Sequence, residues 1–97
     1  MIIDKQLCNK ILEALTDDYP STMSNASWNK AVAGETDIKR VAAHFKYLEE
    51  KSYIDTEVRE EQDRSGDITF SVELGRTRIK AYGLDFISDG GFTSELF

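Results

Sequence analysis

The residues from 54 to 74 read IDTEVREEQDRSGDITFSVEL, and their alternation decides the second half of the fold. Apolar and polar residues alternate on both sides of a turn signal, DRSGD, which is centred on Gly66. A period of two predicts strands with one buried face, and the turn between them predicts an antiparallel hairpin. The inward positions are expected to be Ile54, Thr56 and Val58 on the first strand, and Ile68, Phe70, Val72 and Leu74 on the second.

Two helices are predicted in the first third of the chain. The first covers about residues 4–16, with Asp4 as its N-cap and with leucine and isoleucine side chains at helical spacing. Pro20 and its polar neighbours interrupt this pattern, and a short second helix covers about residues 26–32. The single cysteine, Cys8, is expected to be a small core residue of the first helix.

A third, longer helix is predicted over residues 36–51, with Thr36 or Asp37 as its cap. Its apolar residues recur at helical spacing and form the expected buried stripe: Ile38, Val41, Ala42, Phe45 and Leu48. Its outward face is expected to carry Lys39, Arg40, His44, Lys46, Tyr47 and Glu50. If this helix entered a DNA groove, its contact residues would be Lys39, Arg40, His44 and Lys46.

The C-terminal part is predicted to contain a short strand at RTRI, a helix over about residues 80–88 and an irregular tail over residues 89–97. The apolar residues of the tail are expected to fold back on the core: Phe92, Leu96 and Phe97. The order helix, helix, helix, hairpin, helix is typical of a winged-helix domain. We therefore expect residues 1–97 to form one winged-helix-like α+β domain, in which the third helix is the recognition helix and the hairpin is the wing.

Two stretches resemble a group of small phage and prophage winged-helix proteins. RIKAYGLDFISDGG resembles the C-terminal helix of that group, and its matching residues are Gly83, Asp85, Phe86, Asp89, Gly90 and Gly91. HFKYLEEKSYID resembles the end of the third helix in the same group, but this chain has Ser52 where the group usually has glycine. The resemblance implies a winged-helix fold and a phage origin, and its motifs carry no chemistry.

The chain offers little for catalysis. It has one histidine and one cysteine, so no zinc-ligand spacing exists, and it has no glycine-rich phosphate loop. We therefore expect a non-enzymatic protein without a cofactor, a metal or a small-molecule ligand. It has neither a secretory signal nor a run of about 20 apolar residues that would span a membrane, so a cytoplasmic location in a bacterial host cell is expected.

The predicted hairpin is unusually acidic. Residues 55–67 hold six acids and two arginines, a formal charge of 2 − 6 = −4, within a chain of net charge −6. The wing of a DNA-binding winged helix lies along phosphates, and each carboxylate at about 4 Å from a phosphate costs on the order of 1 kcal/mol in water. The hairpin is therefore expected to repel DNA.

Three interpretations of the acidic residues remain open. They form a solvated face that serves solubility, or the chain is a DNA-binding regulator in which helix 36–51 acts alone, or the acidic face is itself a binding surface. The third has a geometric basis, because alternate residues of a strand lie about 6 to 7 Å apart on one face. Five acids would then form a row that imitates a phosphate backbone: Asp55, Glu57, Glu61, Asp67 and Glu73.

We favour the third interpretation. Short acidic phage proteins that imitate DNA resemble this chain in size and charge, and they include anti-restriction and anti-CRISPR inhibitors. The expected partner is a protein complex with a basic nucleic-acid-binding surface, such as a CRISPR surveillance complex. The expected binding residues are Glu49, Glu50, Asp55, Glu57, Glu60, Glu61, Asp63 and Asp67. The alternatives are the DNA-binding transcriptional regulator, an antirepressor and a dimeric structural protein.

Overall fold

The computed structural model describes residues 1–93, which form an α+β fold. The helices are α1 (Lys5–Asp18), α2 (Asn25–Ala31), α3 (Ile38–Glu50) and α4 (Ala81–Ser88). The strands are β1 (Ile54–Asp55), β2 (Val58–Gln62), β3 (Ile68–Val72) and β4 (Arg78–Ile79), and a 3-10 turn at Leu74–Arg76 joins β3 to β4. The predicted order of three helices, a hairpin and a final helix is confirmed.

Side-chain caps fix the start of the first three helices. The carboxylate of Asp4 accepts hydrogen bonds from the backbone N–H groups of Gln6 and Leu7, as predicted. Ser24 caps α2, which lies one residue earlier than expected, and Asp37 rather than its neighbour caps α3. Each cap satisfies backbone donors that the helix leaves unpaired and contributes about 1 kcal/mol.

The core lies between α1, α3 and the short sheet β1–β4. Its fully buried side chains include Cys8, Ile11, Leu12, Leu15, Phe45, Leu48, Ile54 and Ile79. Cys8 is thus a core residue, as expected. Burial of each leucine, isoleucine or phenylalanine stabilises the fold by roughly 1.5–3 kcal/mol. This packing holds α3 rigidly, with one face towards the core and the other towards solvent and the hairpin.

The first predicted strand is broken into two. β1 pairs with β4, in the register Ile54↔Ile79, whereas β2 pairs with β3, so the hairpin forms a sheet of its own, separate from the one in the core. At the break, the hydroxyl of Thr56 lies 2.8 Å from that of the buried Thr77. Thr77 donates its own hydroxyl proton to the Glu73 carbonyl, so Thr56 is the donor between the two threonines. The backbone N–H of Met23 also donates to the Thr77 carbonyl, which ties the α1–α2 loop to the foot of the hairpin.

The hairpin projects away from the core. Its register runs from Val58↔Val72 to Gln62↔Ile68, and every residue from 59 to 69 is exposed. The prediction that Ile68 points inward is wrong, because that end of the hairpin extends past α3 and leaves the side chain 55% exposed. Near the foot of the hairpin, the half-buried side chains of Val58 and Val72 pack against the core.

The connection from α3 into β1 uses a left-handed residue. Ser52 has a φ of +67°, and the backbone N–H groups of Ser52 and Tyr53 donate to the carbonyls of Glu49 and Leu48. This pattern is a helix-ending motif that usually has glycine at the left-handed position. The glycine that the resemblance expects at this position is therefore explained by backbone conformation.

An aromatic cluster joins α4 to the rest of the fold. The ring of Tyr53 stacks on Phe86 at 4.4 Å between centroids, and Phe92 meets Phe86 edge-on at 4.7 Å. Asn9 on α1 holds Phe92 by two 2.8 Å hydrogen bonds, one to its carbonyl and one from its N–H. Phe92 therefore folds back as expected. The other two apolar residues of the tail lie outside the described residues: Leu96 and Phe97.

Candidate interaction surface

The eight acids of the predicted binding face occupy three separate places. Glu49 and Glu50 lie at the end of α3, and Asp55 and Glu57 lie at the foot of the hairpin. The remaining acids lie on its outer half: Glu60, Glu61, Asp63 and Asp67. Their environments differ, and the single row of charge that the sequence predicts is interrupted.

At the foot of the hairpin, the acids are neutralised by arginines of this same chain. Asp55 pairs with Arg78 of the neighbouring strand at 3.2 Å. Glu57 pairs with Arg59 at 2.6 Å and with Arg76 at 3.6 Å. The hydrogen bond from Arg59 lowers the pKa of the Glu57 carboxyl below its usual value. These two acids serve the fold and are poorly placed to attract a partner.

Arg59 also interrupts the predicted row of acids. Glu57, Arg59 and Glu61 share one face of the hairpin, since they alternate along the chain. Arg59 lies between two acids of that face and contacts Glu73 on the facing segment at 2.9 Å, as well as Glu57. Glu57 and Glu61 therefore lie on one face with Arg59 between them, whereas Asp55, which was expected in the same row, lies in the separate β1–β4 sheet.

The outer half of the hairpin keeps acids that form no ion pair with a cation of the described residues. Among residues 1–93, neither Glu60 nor Glu61 forms an ion pair, and both are exposed. They point to opposite faces, because Glu60 lies opposite Phe70 and Glu61 lies opposite Thr69. Both faces of the outer hairpin therefore present a negative charge to solvent.

The turn of the hairpin is ordered by Asp63. Its carboxylate accepts hydrogen bonds from the Ser65 hydroxyl at 2.7 Å and from the backbone N–H groups of Ser65 and Asp67 at 2.9 Å. These bonds, the one from the Ser65 hydroxyl first, lower the pKa of the Asp63 carboxyl. Asp63 therefore stays charged while its oxygens hold the turn, and the turn keeps the neighbouring acids in fixed positions.

The acids at the end of α3 also differ from each other. Glu49 pairs with Lys46 at 2.8 Å, one turn earlier on the same helix, and this hydrogen bond raises the pKa of the Lys46 ammonium. Glu50 is exposed, with no ion pair among the described residues. Five of the eight acids are therefore exposed and form no ion pair among the described residues: Glu50, Glu60, Glu61, Asp63 and Asp67. The carboxylates of Asp63 and Asp67 accept hydrogen bonds within the turn, so Glu50, Glu60 and Glu61 are the acids of this set left open to a partner.

The alternative DNA-binding set on α3 is largely occupied. Arg40 lies 2.6 Å from Asp4 and 3.4 Å from Glu35, so its guanidinium joins α3 to the start of α1 and to the α2–α3 loop. Lys46 is engaged by an acid of its own helix. Of the four predicted contact residues, Lys39 alone is both exposed and outside any ion pair within residues 1–93.

The expectation that His44 lies on the outward face of α3 is wrong. The side chain is fully buried, because the first turn of α1 packs over it. Its Nε2 accepts a 2.8 Å hydrogen bond from the backbone N–H of Asp4, so the ring proton must lie on Nδ1, which donates to the Arg40 carbonyl at 2.6 Å. A neutral imidazole in this position links two helices and is unavailable to a DNA base.

Two grooves on the surface of the described residues were not predicted from the sequence. The first has a volume of about 190 Å³ and lies between α3 and the hairpin, lined by Lys39, Ala42, Ala43, Lys46, Val58 and Phe70. The second, here called the α1–α4 groove, has a volume of about 490 Å³. Its principal lining residues are Glu13, Asp17, Lys30, Leu84, Asp85 and Ile87.

Metal binding and nucleophilic chemistry were looked for among the side chains of residues 1–93. Within residues 1–93, no three side chains of the metal-binding types come together in a cluster. Burial raises the pKa of the Cys8 thiol to about 12, so the thiolate that a nucleophile requires is essentially unpopulated at neutral pH. Over the same residues, the helices are too short or too polar to cross a membrane.

Comparison with known proteins adds no relative. Neither a protein-family model, nor a curated protein, nor a solved structure matches the chain.

Proposed function

We propose that this chain is a winged-helix-like, non-enzymatic binding protein that blocks the nucleic-acid-binding surface of a protein partner. The observation that carries the proposal is the outer hairpin, where Glu60 and Glu61 are exposed and form no ion pair within residues 1–93. A basic groove that evolved to hold phosphates would attract these charges by long-range electrostatics and would bind them at short range.

The winged-helix part of the proposal is supported by connectivity. β1 follows α3 directly and pairs with β4, and the hairpin of β2 and β3 lies between them. The hydrogen bond from the Met23 N–H to the Thr77 carbonyl links the α1–α2 loop to the residue that precedes β4. This arrangement is typical of a wing attached beside a recognition helix.

The DNA-binding regulator has less support from the same geometry. Its predicted contacts include a buried histidine and two cations that already have acidic partners. An acidic hairpin beside that helix would meet phosphates with like charge, and binding to DNA depends on neutralising phosphates. A protein partner with a basic surface meets neither obstacle.

The proposed biological role is that of a phage anti-defence inhibitor of the anti-CRISPR type. The support for this role is the resemblance to phage winged-helix proteins together with the small size and net charge of −6. We place the proposed contact on the outer hairpin, aided by Glu50 at the end of α3, because these acids form no ion pair within residues 1–93. Asp55, Glu57 and Glu49 become supporting residues that hold the hairpin and α3 in place.

The proposal is tested by affinity capture from a bacterial host lysate with the immobilised chain. We expect the wild-type chain to retain a nucleic-acid-binding protein or complex, and we expect added duplex DNA to release it. Retention of DNA fragments by the chain itself would support the regulator instead. A retained protein that duplex DNA does not displace would contradict the proposed blocking role.

A further inference from the structure

Helix α4 is strongly apolar but poorly covered. Its sequence, AYGLDFIS, contains four large apolar residues, yet only Gly83 is fully buried. Tyr82 is 62% exposed, although its ring stacks on Tyr53. Leu84 and Ile87 are half-buried and face α1 across the α1–α4 groove. A helix of this composition normally buries one complete face, so part of its apolar surface is left for another molecule.

The α1–α4 groove has the size and shape of a binding site. Its volume of about 490 Å³ falls within the usual range for sites that hold a small ligand or a few side chains of a peptide, roughly 300–1,000 Å³. Leu84 and Ile87 supply its apolar lining. Glu13 and Asp17 from α1 and Asp85 from α4 supply carboxylates at its edges.

The charge of the groove favours a cation. Its one basic residue, Lys30, is bound to Asp17 at 3.1 Å, so these two charges offset each other. Within the described part of the chain, Glu13 and Asp85 have no ion pair and are exposed. The groove therefore combines an apolar lining with two open carboxylates on opposite walls.

We propose that the α1–α4 groove binds a basic amphipathic peptide segment of a protein partner. A large apolar side chain of the segment packs on Leu84 and Ile87, and flanking lysines or arginines pair with Glu13 and Asp85. A second copy of this chain is a poorer occupant, because two molecules of net charge −6 repel each other. This site is separate from the hairpin and does not depend on the function proposed above.

The test is an NMR titration of the ¹⁵N-labelled chain with two synthetic helical peptides. One peptide places leucines on one face and lysines on the other, and the second has glutamate at each lysine position. We expect the lysine peptide to shift the amide signals of Leu84, Ile87 and their neighbours, and we expect the glutamate peptide to leave them unchanged. The paired E13K/D85K change should weaken binding of the lysine peptide by about tenfold or more.

The matched control is the paired E60K/E61K change on the hairpin, which alters the net charge by the same amount. We expect this control to leave the affinity at the groove, measured from the amide shifts of Leu84 and Ile87, at its wild-type value. If both pairs of substitutions weaken binding of the lysine peptide equally, binding depends only on net charge. If the peptide shifts only amide signals of the hairpin, it binds there and not in the groove. Either result overturns the proposal. Groove shifts that depend on protein concentration without peptide would assign the groove to a second copy instead. If E13K/D85K fails to fold, the milder E13Q/D85N pair replaces it.

Discussion

The foot and the outer half of the hairpin have similar compositions but different electrostatic surroundings. At the foot, Asp55 and Glu57 meet Arg78, Arg59 and Arg76 within hydrogen-bonding or ion-pairing distance. In the outer half, two adjacent glutamates have no such partner within residues 1–93, although Arg64 is only a few residues away. The comparison teaches that an acidic stretch is not one surface. Cross-strand geometry determines which of its charges remain available to a partner.

Substitutions in the anchored core and in the projecting hairpin should also differ in their effect on stability. We expect H44A to lower the free energy of unfolding by about 3 kcal/mol, because it removes a buried ring and leaves the N–H of Asp4 without its acceptor. Urea unfolding followed by circular dichroism measures the change. E60A, on the projecting part, should change the same quantity by less than about 0.5 kcal/mol. Similar losses in both variants would remove the distinction.

Two substitutions at left-handed backbone positions should change the stability of the chain in opposite directions. Ser52 and Gly66 both have positive φ values, +67° and +90°. S52G should stabilise the chain by about 1 kcal/mol, because glycine adopts the left-handed conformation without strain. G66A should destabilise it by a similar amount, although a Cβ there would meet only the end of a flexible glutamine side chain at 3.7 Å. Thermal unfolding of the two variants checks the signs, and a loss of stability in S52G would contradict the assignment.

The dependence of stability on acid pH should test the ion pair at the foot of the hairpin. Because the Arg59 hydrogen bond lowers the folded-state pKa of Glu57, its contribution is present above the unfolded pKa and is lost as pH falls through the lowered value. E57Q should therefore flatten the fall in unfolding free energy as pH drops below the ordinary pKa of a glutamate. Urea unfolding at a series of pH values measures this slope. A slope in E57Q equal to that of the wild type would contradict the pairing of Glu57 with Arg59.

Local patterns in the sequence predicted the fold well where the fold depends on local patterns. The stripe of α1, most of the stripe of α3, the caps at Asp4 and Asp37, and the turn at Gly66 follow from spacing and residue type. The prediction that Ile38 belongs to the buried stripe is wrong, because this residue lies at the first position of α3 and is 38% exposed. The strand break at Thr56 was missed, because it depends on a partner 21 residues away. The alternation of apolar and polar residues does not indicate which distant segments pair with each other.

The candidate site was harder to predict for the same reason. The burial of His44 follows from contact with the first turn of α1, which is 40 residues away in the chain. The ion pairs of the hairpin foot require knowledge of which residues face each other across two sheets. One signal was available in the sequence: Arg59 alternates in phase with Glu57 and Glu61, so it had to lie on the same face.

The binding role of the outer hairpin is tested most directly by the affinity of the captured partner for charge-reversed chains. With the partner purified, isothermal titration compares the wild type with E60K/E61K and with the equally charged control E13K/D85K. We predict that the hairpin pair weakens binding by roughly 100-fold, because each reversal removes an attraction and adds a repulsion at the contact. The control should bind as the wild type does. If the hairpin pair keeps wild-type affinity, the outer hairpin is only a solvated surface and the account is contradicted.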